Sequence, residues 1–292
     1  MKQLRYFAAL ARLGHFGRAA DDCGVSQPAL SVQMKALEDM LGTPLVERGG
    51  KQFRLTSFGE TFLDRVRDIL QSVDALGDMA RATHQPLIGR FRFGIIPTAA
   101  PYFLPQFIAL VAQDYPGLDL RPREAVTQKL IEGLLEGNLD TAIVALPISE
   151  PSLHEEALFD EEFVLVRSID DAEKPVPDPT LLREMKLLLL EEGHCFRDQA
   201  LSFCNASSTL PRDLMEGSSL STLVQMVGSG IGVTLIPDMA VPIETRSASV
   251  SVARLRAPRP SRTMGMVWRK SNPLAGQLAD IAQIVRHAKT TR

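Results

Sequence analysis

Residues 18–31 read Arg18-Ala19-Ala20-Asp21-Asp22-Cys23-Gly24-Val25-Ser26-Gln27-Pro28-Ala29-Leu30-Ser31, and they decide the fold of the N-terminal region. Ala19 and Ala20 are small enough for close helix contact, which predicts a short helix from Arg18 to Cys23. Gly24-Val25 makes the turn of a helix-turn-helix. Ser26 is a good N-cap for the next helix, and Pro28 falls in its first turn, where a missing N–H costs little. That helix puts Leu30, Met34, Leu37 and Leu41 on one side. Gln27, Ser31 and Lys35 lie on another face, and Gly42 and Pro44 end it.

The flanks extend this unit. Upstream, Leu4, Phe7, Leu10 and Ala11 form a helical stripe. Downstream, residues 45–48 and 52–55 flank Gly49-Gly50 as a hairpin, the wing of a winged helix-turn-helix. Ser57-Phe58-Gly59-Glu60 reads as a capping box that opens a long helix. Its apolar residues Phe62, Val66, Ile69, Val73, Leu76 and Ala80 step by four and three, a coiled-coil seam. A seam of that regularity predicts a partner helix, most simply from a second copy. Packing against its own domain is the alternative. Pro86 marks the linker that follows.

From about residue 90 strands alternate with helices. Strands are expected at 91–95, 118–124, 140–146, 163–167, 187–190, 233–236, 250–255 and 264–268. Helices fit near 100–114, 128–137, 195–205, 219–228 and 273–288. This is an α/β sheet with helices on its faces, with strands enough for two lobes.

The chain has 292 residues, 45% of them hydrophobic, which is enough for ordinary cores. No apolar run approaches the roughly 18–20 residues that cross a bilayer. The first residues, Met1-Lys2-Gln3-Leu4-Arg5, do not form a signal peptide. Three cysteines make no disulfide framework, so a reducing, cytoplasmic location is expected. Net charge is −3 overall, but residues 1–60 carry eight Lys/Arg against six Asp/Glu. A nucleic-acid surface must therefore be local to that part. A Gly-rich phosphate loop, a Ser-His-Asp arrangement and paired zinc-ligand spacing are all lacking, so no enzyme, metal or cofactor is predicted.

Gly193-His194-Cys195-Phe196-Arg197-Asp198 begins the other informative stretch, which runs to Cys204. A nearby cation or a helix N-terminus favours a thiolate. Cys195 has His194 beside it and Arg197 two residues on. Cys204 sits among Leu201, Phe203 and Ala206 and reads as buried. If residues 195–204 formed one helix, the two cysteines would lie ~13.5 Å apart on opposite faces, beyond the roughly 7 Å that a disulfide spans. They could join only after that segment unwound; two unrelated core cysteines is the other reading. Cys23 reads as a buried small hydrophobe between two helices.

Residues 16–20, 25–31, 37–39, 41–42, 47–48 and 55–56 resemble, in order, the motifs of LysR-type transcriptional regulators. Ile95-Ile96-Pro97-Thr98, Glu124-Ala125-Val126-Thr127 and Gly228-Ser229-Gly230-Ile231 carry the likeness through the chain. The segment ending at Cys204 is similar to that of the family's peroxide-sensing members. The resemblance implies a winged helix-turn-helix over 1–58, a linker (dimerisation) helix over 59–86, and over 87–292 a two-lobed regulatory domain like periplasmic binding proteins. It implies that hydrogen peroxide oxidises Cys195, that Cys204 resolves the product as a disulfide, and that the DNA-binding mode then changes. Thr98, Thr127, His194, Arg197 and Asp198 would surround peroxide and thiolate. Thr98 and Thr127 could equally be helix N-caps, His194 a surface turn residue, and Asp198 an ordinary first-turn acid.

At the DNA end, Ser26, Gln27, Ala29, Ser31 and Gln33 are the expected reading surface, with Arg48 and Arg54 on phosphates from the wing. Double-stranded DNA, a second copy through Phe62, Val66, Ile69, Val73 and Leu76, a homotetramer, and contact with RNA polymerase are the implied partners. The competing expectation is a regulator that binds a small metabolite between the lobes near Thr98.

Overall fold

The computed structural model describes residues 1–47, 53–82, 87–203 and 215–290. The chain divides into two compact units, Met1–Met79 and Ala80–Arg292. Among the described residues, no helix is long and apolar enough to cross a membrane.

The first unit contains α1 (Lys2–Leu13), α2 (Phe16–Asp22), α3 (Gln27–Leu41) and most of α4 (Ser57–Ala82). Phe7, Leu10, Ala19, Ala20, Leu30, Met34, Leu37 and Leu45 form its core. Ser26 caps α3 by accepting from the Ala29 N–H at 3.4 Å. Gly42 ends it in the left-handed region at φ 68°, a conformation that costs glycine no Cβ clash. α2 starts two residues earlier than its small-residue pattern suggested. The reason is His15, whose Nδ1 accepts from the Gly17 and Arg18 N–H groups. The wing legs pair through Val46 and Leu55. Buried Glu38 anchors the first leg by accepting from the Leu45 and Val46 N–H groups. The Gly49-Gly50 turn and Arg48 lie outside the described residues.

Two expectations about α4 change. The cap is Thr56, one residue before the expected box: its Oγ1 accepts from the Gly59 N–H at 2.9 Å and donates to the Pro44 carbonyl. The seam also divides. Val66 is fully buried and the Phe62 ring packs tilted against Phe7, with ring centroids 5.7 Å apart, so both belong to this unit's own core. Ile69, Val73 and Leu76 remain exposed. A heptad pattern reports which face is apolar, and here the first turns of that face meet α1.

The second unit runs β1 (Gly89–Ile95), α5 (Ala100–Asp114), β2 (Leu118–Glu124), α6 (Thr127–Leu135), β3 (Thr141–Leu146), β4 (Leu153–Ser168), α7 (Pro179–Glu184), β5 (Leu187–Leu190) and α8 (Cys195–Phe203). It continues with β6 (Met215–Gly217), α9 (Leu220–Gly228), β7 (Val233–Pro237), α10 (Val241–Glu244), β8 (Val250–Arg254), β9 (Ser261–Arg269) and α11 (Ala275–Thr290). The strand order is β2-β1-β3-β9-β4-β7-β5-β6, with β8 also on β4. Parallel β1, β2 and β3 pack under Phe93, Phe103 and Phe107 to make one core. Parallel β5, β6 and β7, with Phe163, Leu188 and Leu223, make the other.

β4 joins the lobes. Its first part pairs with β9, and from Phe163 it pairs with β7 and β8. The sequence pattern predicts a strand only at 163–167. The ten residues before it, Leu153 to Glu162, are rich in acids and only partly buried, so they lack an alternating signal. Their strand character comes from pairing with β9.

Candidate functional site

The loop after β1, the start of α6 and the start of α8 converge on one narrow cleft between the lobes. Ile96, Pro97, Thr98, Val126 and Thr127 line one side, and His194 and Cys195 the other. Cys195 is a half-buried free thiol at the first position of α8, the helix end at which negative charge is favoured.

Neither threonine is an N-cap. The cap positions are Ala99 for α5 and Val126 for α6, and neither makes a side-chain cap bond. The Thr98 hydroxyl accepts from Arg262 Nη1 at 2.7 Å, and its carbonyl accepts from Nη2. Its own proton can still be donated into the cleft. Among the described residues, the buried Thr127 hydroxyl oxygen has no hydrogen-bond partner. Buried hydroxyls are ordinarily paired, and this residue lines the cleft.

Burial keeps the His194 imidazole below its ordinary pKa, with Glu191 opposing. The ring therefore favours the neutral form near pH 7 and does not supply beside the thiol the cation expected from the sequence. The sign of its linkage is definite. The unfolded chain takes up this proton below about pH 6.5, whereas the folded chain resists it. Stability present above that pH should thus fall as pH drops from about 6.5 toward the depressed folded value. His194→Gln should flatten that limb of a plot of denaturant midpoint against pH. An unchanged limb would show that the ring is fully solvated.

Arg197 and Asp198 stand elsewhere. Arg197 is buried, but its guanidinium donates to the Leu190 carbonyl at 2.8 Å and pairs with Glu216 at 2.7 Å. It ties α8 to β5 and β6. Asp198 is exposed one position on. Neither lines the cleft, because successive helix residues turn by about 100° and only the first of them faces it.

The group that sequence reasoning missed is Arg262. Its side chain is fully buried on β9, pairs with Glu161 at 2.7 Å, and lies 5.6 Å from the Phe196 ring. Glu161 in turn accepts from the Met239 N–H. One guanidinium thus joins β4, the Thr98 loop and the residue next to Cys195. Register opposes Glu161 and Arg262 directly, a contact invisible at a separation of 101 residues. A second tie spans the lobes: buried Glu244 accepts from Tyr102 and Ser221, each at 2.6 Å. Burial and Glu244 together push the Tyr102 phenol well above its ordinary range.

In the first unit, Ser26, Gln27, Ala29 and Gln33 are exposed along α3, and Ser31 is half-buried. Arg54 is exposed on the wing. Burial, with Asp22 adding, pushes the Cys23 thiol up, and Arg12 opposes.

Residues 1–60 match the family described as bacterial regulatory helix-turn-helix protein, lysR family, and residues 84–289 match the LysR substrate binding domain. The chain belongs to the LysR family. Within that family it is 39% identical over 289 residues to the DNA-binding transcriptional dual regulator OxyR of Escherichia coli, covering 98% of this chain and 94% of the relative. A cysteine-to-aspartate variant of full-length OxyR from Pseudomonas aeruginosa superposes with a TM-score of 0.76 at 37% identity, over 98% of this chain and 94% of that one. A cysteine-to-serine variant of Corynebacterium glutamicum OxyR with H₂O₂ bound gives 0.68 at 34% identity, over 99% and 92%. The LysR fold thus accounts for both units of the chain.

Proposed function

We propose that this LysR-family chain is a DNA-binding transcriptional regulator switched by hydrogen peroxide. Cys195 is the reacting thiol, and Cys204, which lies outside the described residues, is its disulfide partner. The observation that carries this reading is the cleft itself. It sets a helix-terminal thiol and a buried hydroxyl without a partner among the described residues on the walls of one narrow cleft, too tight for a metabolite of ordinary size.

The chemistry balances without a cofactor. The Cys195 thiolate attacks one peroxide oxygen, the O–O bond breaks, and hydroxide leaves and takes a proton to become water. Thr127 donates to or accepts from the peroxide, and Thr98, polarised by Arg262, donates its remaining proton. The Cys204 thiolate then attacks the sulfenic sulfur, and its oxygen departs as a second water. While α8 is intact, Phe203 lies ~12 Å along its axis from Cys195, and one further peptide step recovers about 3.8 Å at most. The bond therefore requires α8 to open, which pulls Phe196 away from Arg262 and loosens the clasp between the lobes. That coupling turns oxidation into a change of shape.

Residues 1–58 read DNA, through Ser26, Gln27, Ala29, Ser31 and Gln33 with wing phosphate contacts from Arg48 and Arg54. Residues 59–86 bring copies together through exposed Ile69, Val73 and Leu76, and residues 87–292 sense peroxide. The protein works as a homodimer or homotetramer in the cytoplasm, and it regulates without turning over a substrate. A thiol mass map before and after a stoichiometric peroxide pulse, paired with DNA footprinting, tests the reading. Unchanged thiols with an altered footprint would refute it.

Thr127→Val separates recognition from folding. The variant keeps the shape and removes only the hydroxyl. Because that hydroxyl makes no hydrogen bond among the described residues, thermal stability should hold or rise. The rate of Cys195 oxidation should fall about tenfold, the value of one hydrogen bond to a reacting oxygen. Stopped-flow oxidation at several peroxide concentrations measures it, and a wild-type rate would remove Thr127 from the site.

A further inference from the structure

Val32 is left 64% exposed in the middle of α3. A β-branched residue is a poor choice for a solvent-facing helix position on propensity alone. Pro28 and Ala29, four and three residues earlier, share its face and are also exposed. Lys2, Tyr6 and Gln33 border the same groove. The patch is thus apolar at its centre, with a cation and an amide at its edge. Three small side chains cannot supply the roughly 800 Å² per partner that a stable protein interface buries. An apolar centre with a polar, positively charged border instead suits a base edge beside a phosphate.

We infer that Val32, supported by Pro28 and Ala29, reads the C5-methyl group of a thymine in the major groove. The inference rests on the reading of α3 as the DNA-contacting helix. Among the four bases only thymine shows a methyl there, and apolar side chains recognise it by excluding water from both surfaces. The polar residues Gln27 and Gln33 can report hydrogen-bonding edges but cannot favour a methyl. Val32 therefore adds a discrimination that the polar set lacks, between thymine and a base with the same edge and no methyl.

The test uses the full chain and duplexes selected from a random-sequence library. Each thymine in a selected duplex is replaced singly by deoxyuridine, which deletes the methyl and keeps every hydrogen-bonding group. Wild-type protein should lose about three- to tenfold in affinity at one thymine per half-site, read by fluorescence anisotropy at fixed salt. Val32→Ser should bind the unmodified duplex more weakly and lose nothing further on that replacement. Val32→Ala, on an exposed helix position, keeps the fold and should show an intermediate loss. If no single replacement weakens the wild type, or if Val32→Ser loses as much as wild type does, Val32 does not read a methyl. If no duplex is selected at all, the reading of α3 itself fails.

Discussion

Cys195→Ser should bind DNA as the reduced protein does and should show no response to peroxide at all. Serine nearly matches cysteine in shape, and position 195 is half-buried at a helix start, so stability should move by no more than about 0.5 kcal/mol. The hydroxyl, however, does not ionise near neutral pH and cannot attack the O–O bond. Mass spectrometry after a stoichiometric pulse should find no disulfide and no sulfenic acid in this segment, and the footprint should not shift. Cys23 provides an internal comparison: burial and Asp22 push its thiol up, so it should stay reduced in both proteins. A Cys195→Ser protein whose footprint still changes with peroxide would place the sensor elsewhere.

Val66→Asp should unfold the N-terminal unit, whereas Leu76→Asp should leave it folded and reduce self-association. The two residues belong to one heptad pattern but to different surroundings. Val66 is 0% exposed and Leu76 is 66% exposed. An aspartate at 66 would bury an unpaired carboxylate among Phe7, Leu10 and Leu63, at a cost of about 4 kcal/mol or more. A unit of this size has net stability near the lower end of about 5–15 kcal/mol, so most of it would be lost. At 76 the charge stays in water, and the single-chain fold changes by about 0.5 kcal/mol or less. Circular dichroism melts and light scattering on the full chain distinguish the two. A Val66→Asp protein with the wild-type melt and only a smaller mass would put Val66 in an intermolecular seam.

Much of the N-terminal unit is legible because its determinants are local. Ser26, Pro28 and Gly42 act within a few residues of themselves, and the α3 stripe needs only its own period. His15 escaped notice because a histidine is an uncommon cap, and Thr56 because Ser57 next to it fits the same pattern. In the regulatory unit, short apolar strands such as β3 and β5 declare themselves by burial on both faces. The first part of β4 does not, since its acids are placed by a partner strand more than a hundred residues away. Thr98, Thr127, His194 and Cys195 were each visible as chemistry, but nothing in the sequence excluded Arg197 from their company or admitted Arg262.

The order of amino acids alone determined where the longer helices lie, which thiol begins one, and that a helix-turn-helix precedes an α/β domain, because caps, periodicity and turn residues act over one or two turns of chain; the short helices α7 and α10 carry too little periodicity to declare themselves. Only the tertiary structure decided that Arg262 and not Arg197 supports the cleft, that the Thr127 hydroxyl lacks a partner among the described residues, and that the apolar seam of α4 divides between its own core and the surface. Those outcomes depend on what distant strands and helices bring against each side chain, and a local pattern holds no record of its neighbours.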